Sequence, residues 1–141
     1  MHADFSPDGR WLAYTSDETG RFEVYVQAFS GRDAVAGAAG ARWQVSTRGG
    51  SEPRWRRDGK ELFYIGADRK LMSVTLAAGS SLEAGVPRPL FATRIPPGVS
   101  PYRRNYVPTS DGQRFLINTL LEETAATPIT VVLNWPAALE R

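Results

Sequence analysis

The chain has 141 residues, 42% of them hydrophobic and 23% charged, with a net charge of +2. That is the composition of one soluble globular domain, and the charge is too mild to point to nucleic acid or an acidic membrane surface as partner. Cysteine is absent, which excludes disulfides and thiolate chemistry. No apolar run approaches the ~20 residues that span a bilayer, and the residues after Met1 do not form a charged-then-apolar segment, so neither a membrane span nor an export signal is expected.

In chain order, residues 2–5 read as the end of a short strand. Phe5-Ser-Pro-Asp8-Gly9 then turns the chain: Pro7 presets φ, Asp8 can accept from neighbouring amides, and Gly9 tolerates positive φ. Residues 11–15 alternate as a strand, with Leu12 and Tyr14 on one face. Thr19-Gly20-Arg21 turns into a strand over 22–29, the Gly- and Ala-rich stretch 31–41 reads as a surface loop, and 42–47 as a weaker outer strand.

The sequence then begins again. A strand is expected over 51–55, an Asp58-Gly59 turn, strands over 61–65 and 70–76 joined by Ala67-Asp68-Arg69, a break over 79–85, and an outer strand over 88–92. Pro89 is tolerable there because an edge strand can spare an amide donor. After a break at 96–101 the third copy follows: a strand over 103–107, an Asp111-Gly112 turn, a strand over 114–118, a loop over 121–127, and a continuous apolar strand over 129–135. Only 136–141 suggests a helical turn.

The Asp-Gly pairs lie 50 and 53 residues apart, a period that points to a blade-by-blade β-architecture. The expected fold is all-β: a partial β-propeller of about three four-stranded antiparallel blades, with the first and last incomplete. The whole chain, 1–141, reads as one segment, with blades near 2–47, 51–92 and 103–135. Three blades cannot close a ring of ordinary geometry, so apolar faces are expected at both ends, and strand 129–133 would leave an open edge.

The run Phe5-Ser-Pro-Asp-Gly-Arg-Trp-Leu-Ala-Tyr14 followed by Glu23-Val-Tyr-Val26 resembles the bacterial PD40 or TolB-like propeller repeats, relatives of WD40. More narrowly, Ser16-Asp-Glu-Thr-Gly-Arg-Phe-Glu-Val-Tyr-Val-Gln27, Gly49-Gly-Ser-Glu-Pro-Arg-Trp55 and Pro128-Ile-Thr-Val-Val-Leu-Asn-Trp135 resemble the carboxy-terminal propeller end of bacterial receptor-like serine/threonine kinases. The chain departs from the repeat at Arg56-Arg57, where Ser-Pro is usual, and at Pro108-Thr-Ser110. The resemblance implies a non-catalytic interaction or sensing module, part of a larger protein, whose partners are a protein or peptide, the missing blades of its parent, or a second copy closing the ring. A parent of that kind would place it outside the cytoplasm, whereas the isolated chain would stay inside. Kinase motifs are absent from the sequence, so any catalytic domain would lie elsewhere. Two other readings stand beside it: the gating propeller of a prolyl-oligopeptidase-like serine peptidase, and a TolB-like periplasmic scaffold.

No cofactor or metal is expected. The only histidine, His2, sits beside the amino terminus, and there is no Gly-x-Ser-x-Gly elbow, so a Ser-His-Asp triad is not expected. Asp8, Asp58 and Asp111 recur once per repeat beside Gly9, Gly59 and Gly112, as turn chemistry demands. The basic group Arg48, Arg54, Arg56, Arg57 and Lys60 is interleaved with Glu52, Asp58 and Glu61, which argues against phosphate-backbone binding. Trp11, Trp43, Trp55 and Trp135 read as core or inter-blade residues. The candidate ligand contacts are the polar residues of the inner strands, expected to face a central channel: Asp4, Glu52, Arg54 and Arg104. Charges there are costly unless hydrated, paired or bound.

Overall fold

A computed structural model of the chain describes residues 2–29, 41–78, 81–98 and 103–119. They form eleven strands and, among the described residues, no helix: β1 (Ala3–Phe5), β2 (Trp11–Ser16), β3 (Glu23–Ala28), β4 (Arg42–Gln44), β5 (Gly50–Trp55), β6 (Glu61–Gly66), β7 (Lys70–Ala78), β8 (Leu82–Ala84), β9 (Arg88–Ala92), β10 (Tyr106–Pro108) and β11 (Phe115–Ile117). All pairings are antiparallel. Three sheets result, in chain order: β1-β2-β3-β4, then β5 to β9, then β10-β11. The strand expected over 129–135, the loop at 31–40 and the turn at 136–141 lie outside the described residues.

The Asp-Gly sequences make the same turn three times. The amides of Gly9, Gly59 and Gly112 donate to the carbonyls of Ser6, Arg56 and Thr109 at 2.8, 2.9 and 2.9 Å, and the three glycines have φ of 72°, 72° and 68°, where a Cβ would be strained. Each aspartate accepts from the amide two residues on: Asp8 from Arg10 at 3.1 Å, Asp58 from Lys60 at 3.0 Å and Asp111 from Gln113 at 3.0 Å. The residue opening each turn also holds the carboxylate, Ser6 and Thr109 through a hydroxyl. At the departure from the repeat, the Arg56 guanidinium takes over with bonds of 2.8 and 2.6 Å to Asp58 and a further 2.6 Å bond to Glu61.

The sheets stack face to face in chain order. From the second strand of the first sheet, Trp11 and Ala13 pack with Val24 and Val26 against Leu62, Tyr64, Val74 and Leu76 of the second sheet. The opposite face of β6, Phe63 and Ile65, joins Leu71, Ile95 and Tyr106, with Phe115 and Ile117 of the third sheet packed on it. Strand β6 is therefore buried on both faces, as a strand in the middle of three layers must be. The same stacking explains β2. Leu12 and Tyr14 are only half-buried while Trp11 and Ala13 are buried, because Leu12 and Tyr14 occupy the outer flank of the first sheet. Their counterparts Leu62 and Tyr64 face the preceding sheet.

Three sequence expectations change. The lead strand expected over 103–107 forms at Tyr106–Pro108, with residues 103–105 outside any strand. Residues 79–85 read as a break, yet β8 forms there and pairs with residues 76–78 of a β7 longer than expected. Strand β7 can hold two partners along one edge because β9 covers only residues 70–73. The outer strand of the first sheet is shorter than 42–47, since Val45 and Ser46 bend to donate both amides to the Val24 carbonyl. Strand β9 spans Arg88–Ala92, with Pro89 opposite Met72 beside an irregularity in the register.

Candidate functional site: the polar junction of the lead strands

The lead strands β1, β5 and β10 bring the polar residues of the three sheets together. Asp4 reaches from the first sheet into the second: its Oδ2 accepts from the Trp55 amide at 3.0 Å, and its main-chain carbonyl accepts from Trp55 Nε1 at 3.2 Å. Arg54 is buried beside it, with Nη1 3.9 Å from Asp4 Oδ1. Glu52 connects the second sheet to the third. Its carboxylate accepts from the Asn105 amide at 2.9 Å and from Asn105 Nδ2.

Glu52 is also a backbone hub. It sits at the irregular step between Ser51 and Arg54 in the β5–β6 pairing, with φ of 55°, a conformation costly for a residue bearing a Cβ. There its amide donates to Thr15 Oγ1 at 3.3 Å and its carbonyl accepts from the Tyr106 hydroxyl at 2.8 Å. A bulge turns one backbone group to each neighbouring sheet, which regular pairing would not do. Burial pushes the Tyr106 phenol well above its ordinary range, with the Arg54 guanidinium opposing that shift.

His2 closes the cluster. It is buried, and its Nε2 donates to the Arg103 carbonyl at 2.7 Å, tying the start of the first sheet to the segment leading into the third. Its Nδ1 and Asn105 Oδ1 are buried without a hydrogen-bond partner. Of the sequence-predicted residues, Asp4, Glu52 and Arg54 thus converge, engaged with neighbouring sheets. Arg104 is exposed and forms no ion pair among the described residues. Thr15, Asn105 and Tyr106 were not singled out from the sequence, because each is defined by a partner 37 to 54 residues away.

The three turn aspartates are structural. Bonds from Ser6 and then Arg10 hold the Asp8 carboxyl at about 2, and bonds from Arg56 and then Lys60 hold Asp58 at about 2. Asp111 is lowered by Thr109 and then Gln113. Among the described residues no three His, Asp or Glu side chains are grouped to hold a metal, and no helix is long and apolar enough to cross a membrane.

Beside Glu52 opens a cleft of about 190 Å³, lined by Arg21, Phe22, Glu52, Ile65, Arg69 and Ile95 among others. Its floor is apolar and its rim carries guanidinium groups, so it can hold a small amphiphilic anion. No protein-family model and no curated protein matches the chain.

Proposed function

We propose that the chain is a segment of a β-propeller of the PD40/TolB-like kind and acts as a non-catalytic interaction or sensing module. The observation that carries this reading is that each of two successive junctions is tied by a lead-strand carboxylate. Asp4 in β1 accepts from the Trp55 amide in β5, and Glu52 in β5 accepts from the amide of Asn105, the residue before β10, at sequence separations of 51 and 53 residues. Units stacked in chain order, the middle one using one face for its predecessor and the other for its successor, are what a radial repeat requires. The turns stack in step as well: a Cβ on Gly59 would meet Pro7 at 3.7 Å, and one on Gly112 would meet Arg56 at 2.7 Å.

Three such units leave two flanks. Phe5 is 52% exposed on the outer flank of the first sheet, and Val107 and Leu116 are 51% and 77% exposed on that of the third. A ring takes about four to eight units, so these flanks are the surfaces for further sheets, supplied by a parent protein or by a second copy. Light scattering across a concentration series tests the reading. Concentration-dependent association that Phe5→Lys weakens is expected; a stable, folded monomer at every concentration would contradict it.

A further inference from the structure

Arg69 occupies a place where glycine would cost less. The turns Asp17–Gly20 and Gly66–Arg69 correspond, each closed by an amide donating back three residues: Gly20 to Asp17 at 2.8 Å and Arg69 to Gly66 at 2.9 Å. In the first the closing residue is Gly20, at φ 84°; in the second it is Arg69, at φ 62°. Glu52 and Arg69 are the two non-glycine residues of positive φ among those described, and both line the same cleft. Backbone strain of this kind clusters at ligand-binding sites.

The charges around the cleft define what would fit. Arg69 is exposed, with no ion pair or side-chain hydrogen bond to another described residue. Arg21 is 60% exposed; its Nε is held by Glu23 and its Nη2 donates to the Thr47 carbonyl at 3.1 Å, so its Nη1 is uncommitted among the described residues. The one acidic lining residue, Glu52, has its carboxylate turned to Asn105. Two main-chain donors of the lining are taken: Gly49 donates to Glu23 and Gly50 to the Phe22 carbonyl. The charged donors of the lining are guanidinium groups, which pair well with planar carboxylate. Arg21 is already paired with Glu23, so Arg69 is the lining cation without an ion pair among the described residues, which suits a single carboxylate. Phe22, 44% exposed, and the buried Ile65 and Ile95 provide an apolar bed beside the guanidiniums.

We propose that this cleft binds a carboxylate carried next to a short aliphatic side chain, with Arg69 as the residue that reads the charge. This rests on the interaction-module reading and names the chemistry of its ligand. It does not depend on ring closure.

The test uses the full chain and three probes followed by amide NMR: N-acetyl-leucine, N-acetyl-leucine amide, and a pentapeptide ending in leucine. N-acetyl-leucine should shift the amides of residues 49–52 and 66–69 and those of Ile95 and Gly98, and the uncharged amide should bind at least about tenfold more weakly. Arg69→Gly should keep the fold, with unfolding temperature equal or higher, and lose at least about tenfold in affinity. A structural role for Arg69 cannot produce that opposite movement. Arg57→Gln, an exposed arginine in a distant turn, should bind as the parent does. Pentapeptide binding much tighter than N-acetyl-leucine identifies a chain terminus as the ligand, and equal binding a free small carboxylate. Equal binding of acid and amide, undiminished binding to Arg69→Gly, or no saturable shift by about 10 mM probe would overturn the proposal. Light scattering on the same samples keeps a failure here distinct from a failure of the ring.

Discussion

The two junctions between sheets are held by different mixtures of the same forces. Between the first and second sheets the contact is broad and apolar, with Trp11, Val24, Val26, Leu62, Val74 and Leu76 buried together and Trp11 set edge-on to Trp43 at 5.5 Å. Its polar tie, Asp4, is part-exposed. Between the second and third sheets the apolar cluster is smaller, and its polar tie, Glu52, is buried with both an amide and a side chain depending on it. A buried carboxylate adds little where apolar area already suffices, but it leaves expensive vacancies when removed. The first junction should therefore fail by losing volume and the second by losing an acceptor.

Removing volume gives the largest expected effect. Leu62 has no exposed surface, and Leu62→Ala should cost about 2–5 kcal/mol in denaturant unfolding. Glu52→Ala comes next. It orphans the Asn105 amide and Nδ2, for a loss of about 2–3 kcal/mol, and hydrogen exchange should quicken at residues 105–117 before residues 11–28. Uniform quickening would mean that the junctions do not differ.

The turns give a smaller, pH-dependent effect. Asp8 and Asp58 have folded values of about 2, below the free-carboxyl value of 3.8. The unfolded chain thus takes up these protons first as pH falls. The stability they contribute is complete above roughly pH 4 and is lost as pH falls through about 2. Because their side chains are 47% and 44% exposed, solvent screening keeps the effect modest. Asp8→Asn with Asp58→Asn should flatten the acid limb of a stability-versus-pH curve. The smallest effect is a gain: Arg69→Gly relieves a positive φ and should raise stability by about 0.5 kcal/mol, net of the added freedom of glycine in the unfolded chain.

Much of the framework was legible in the sequence. The Asp-Gly turns, the alternation in 11–15 and 61–65, and the edge strand carrying Pro89 follow from local chemistry, where a residue's role is decided by neighbours two to five positions away. Strand β8 was not legible, since Leu82-Glu-Ala84 becomes a strand only because a lengthened β7 offers it an edge. Among the candidate site residues, Asp4, Glu52 and Arg54 could be singled out as charges on lead strands. Their partners could not, because contacts between sheets depend on how layers stack. Arg69 gave no signal, as an arginine in a polar turn is unremarkable until its φ is known.

The stacking order of the sheets is the claim on which the rest depends. Because the chain has no cysteine, single cysteines at the exposed turn positions Arg10, Lys60 and Gln113 can carry spin labels for pairwise distance measurements. Successive stacking predicts similar separations for 10–60 and 60–113 and a clearly longer one for 10–113. A 10–113 separation equal to or shorter than the other two would contradict it.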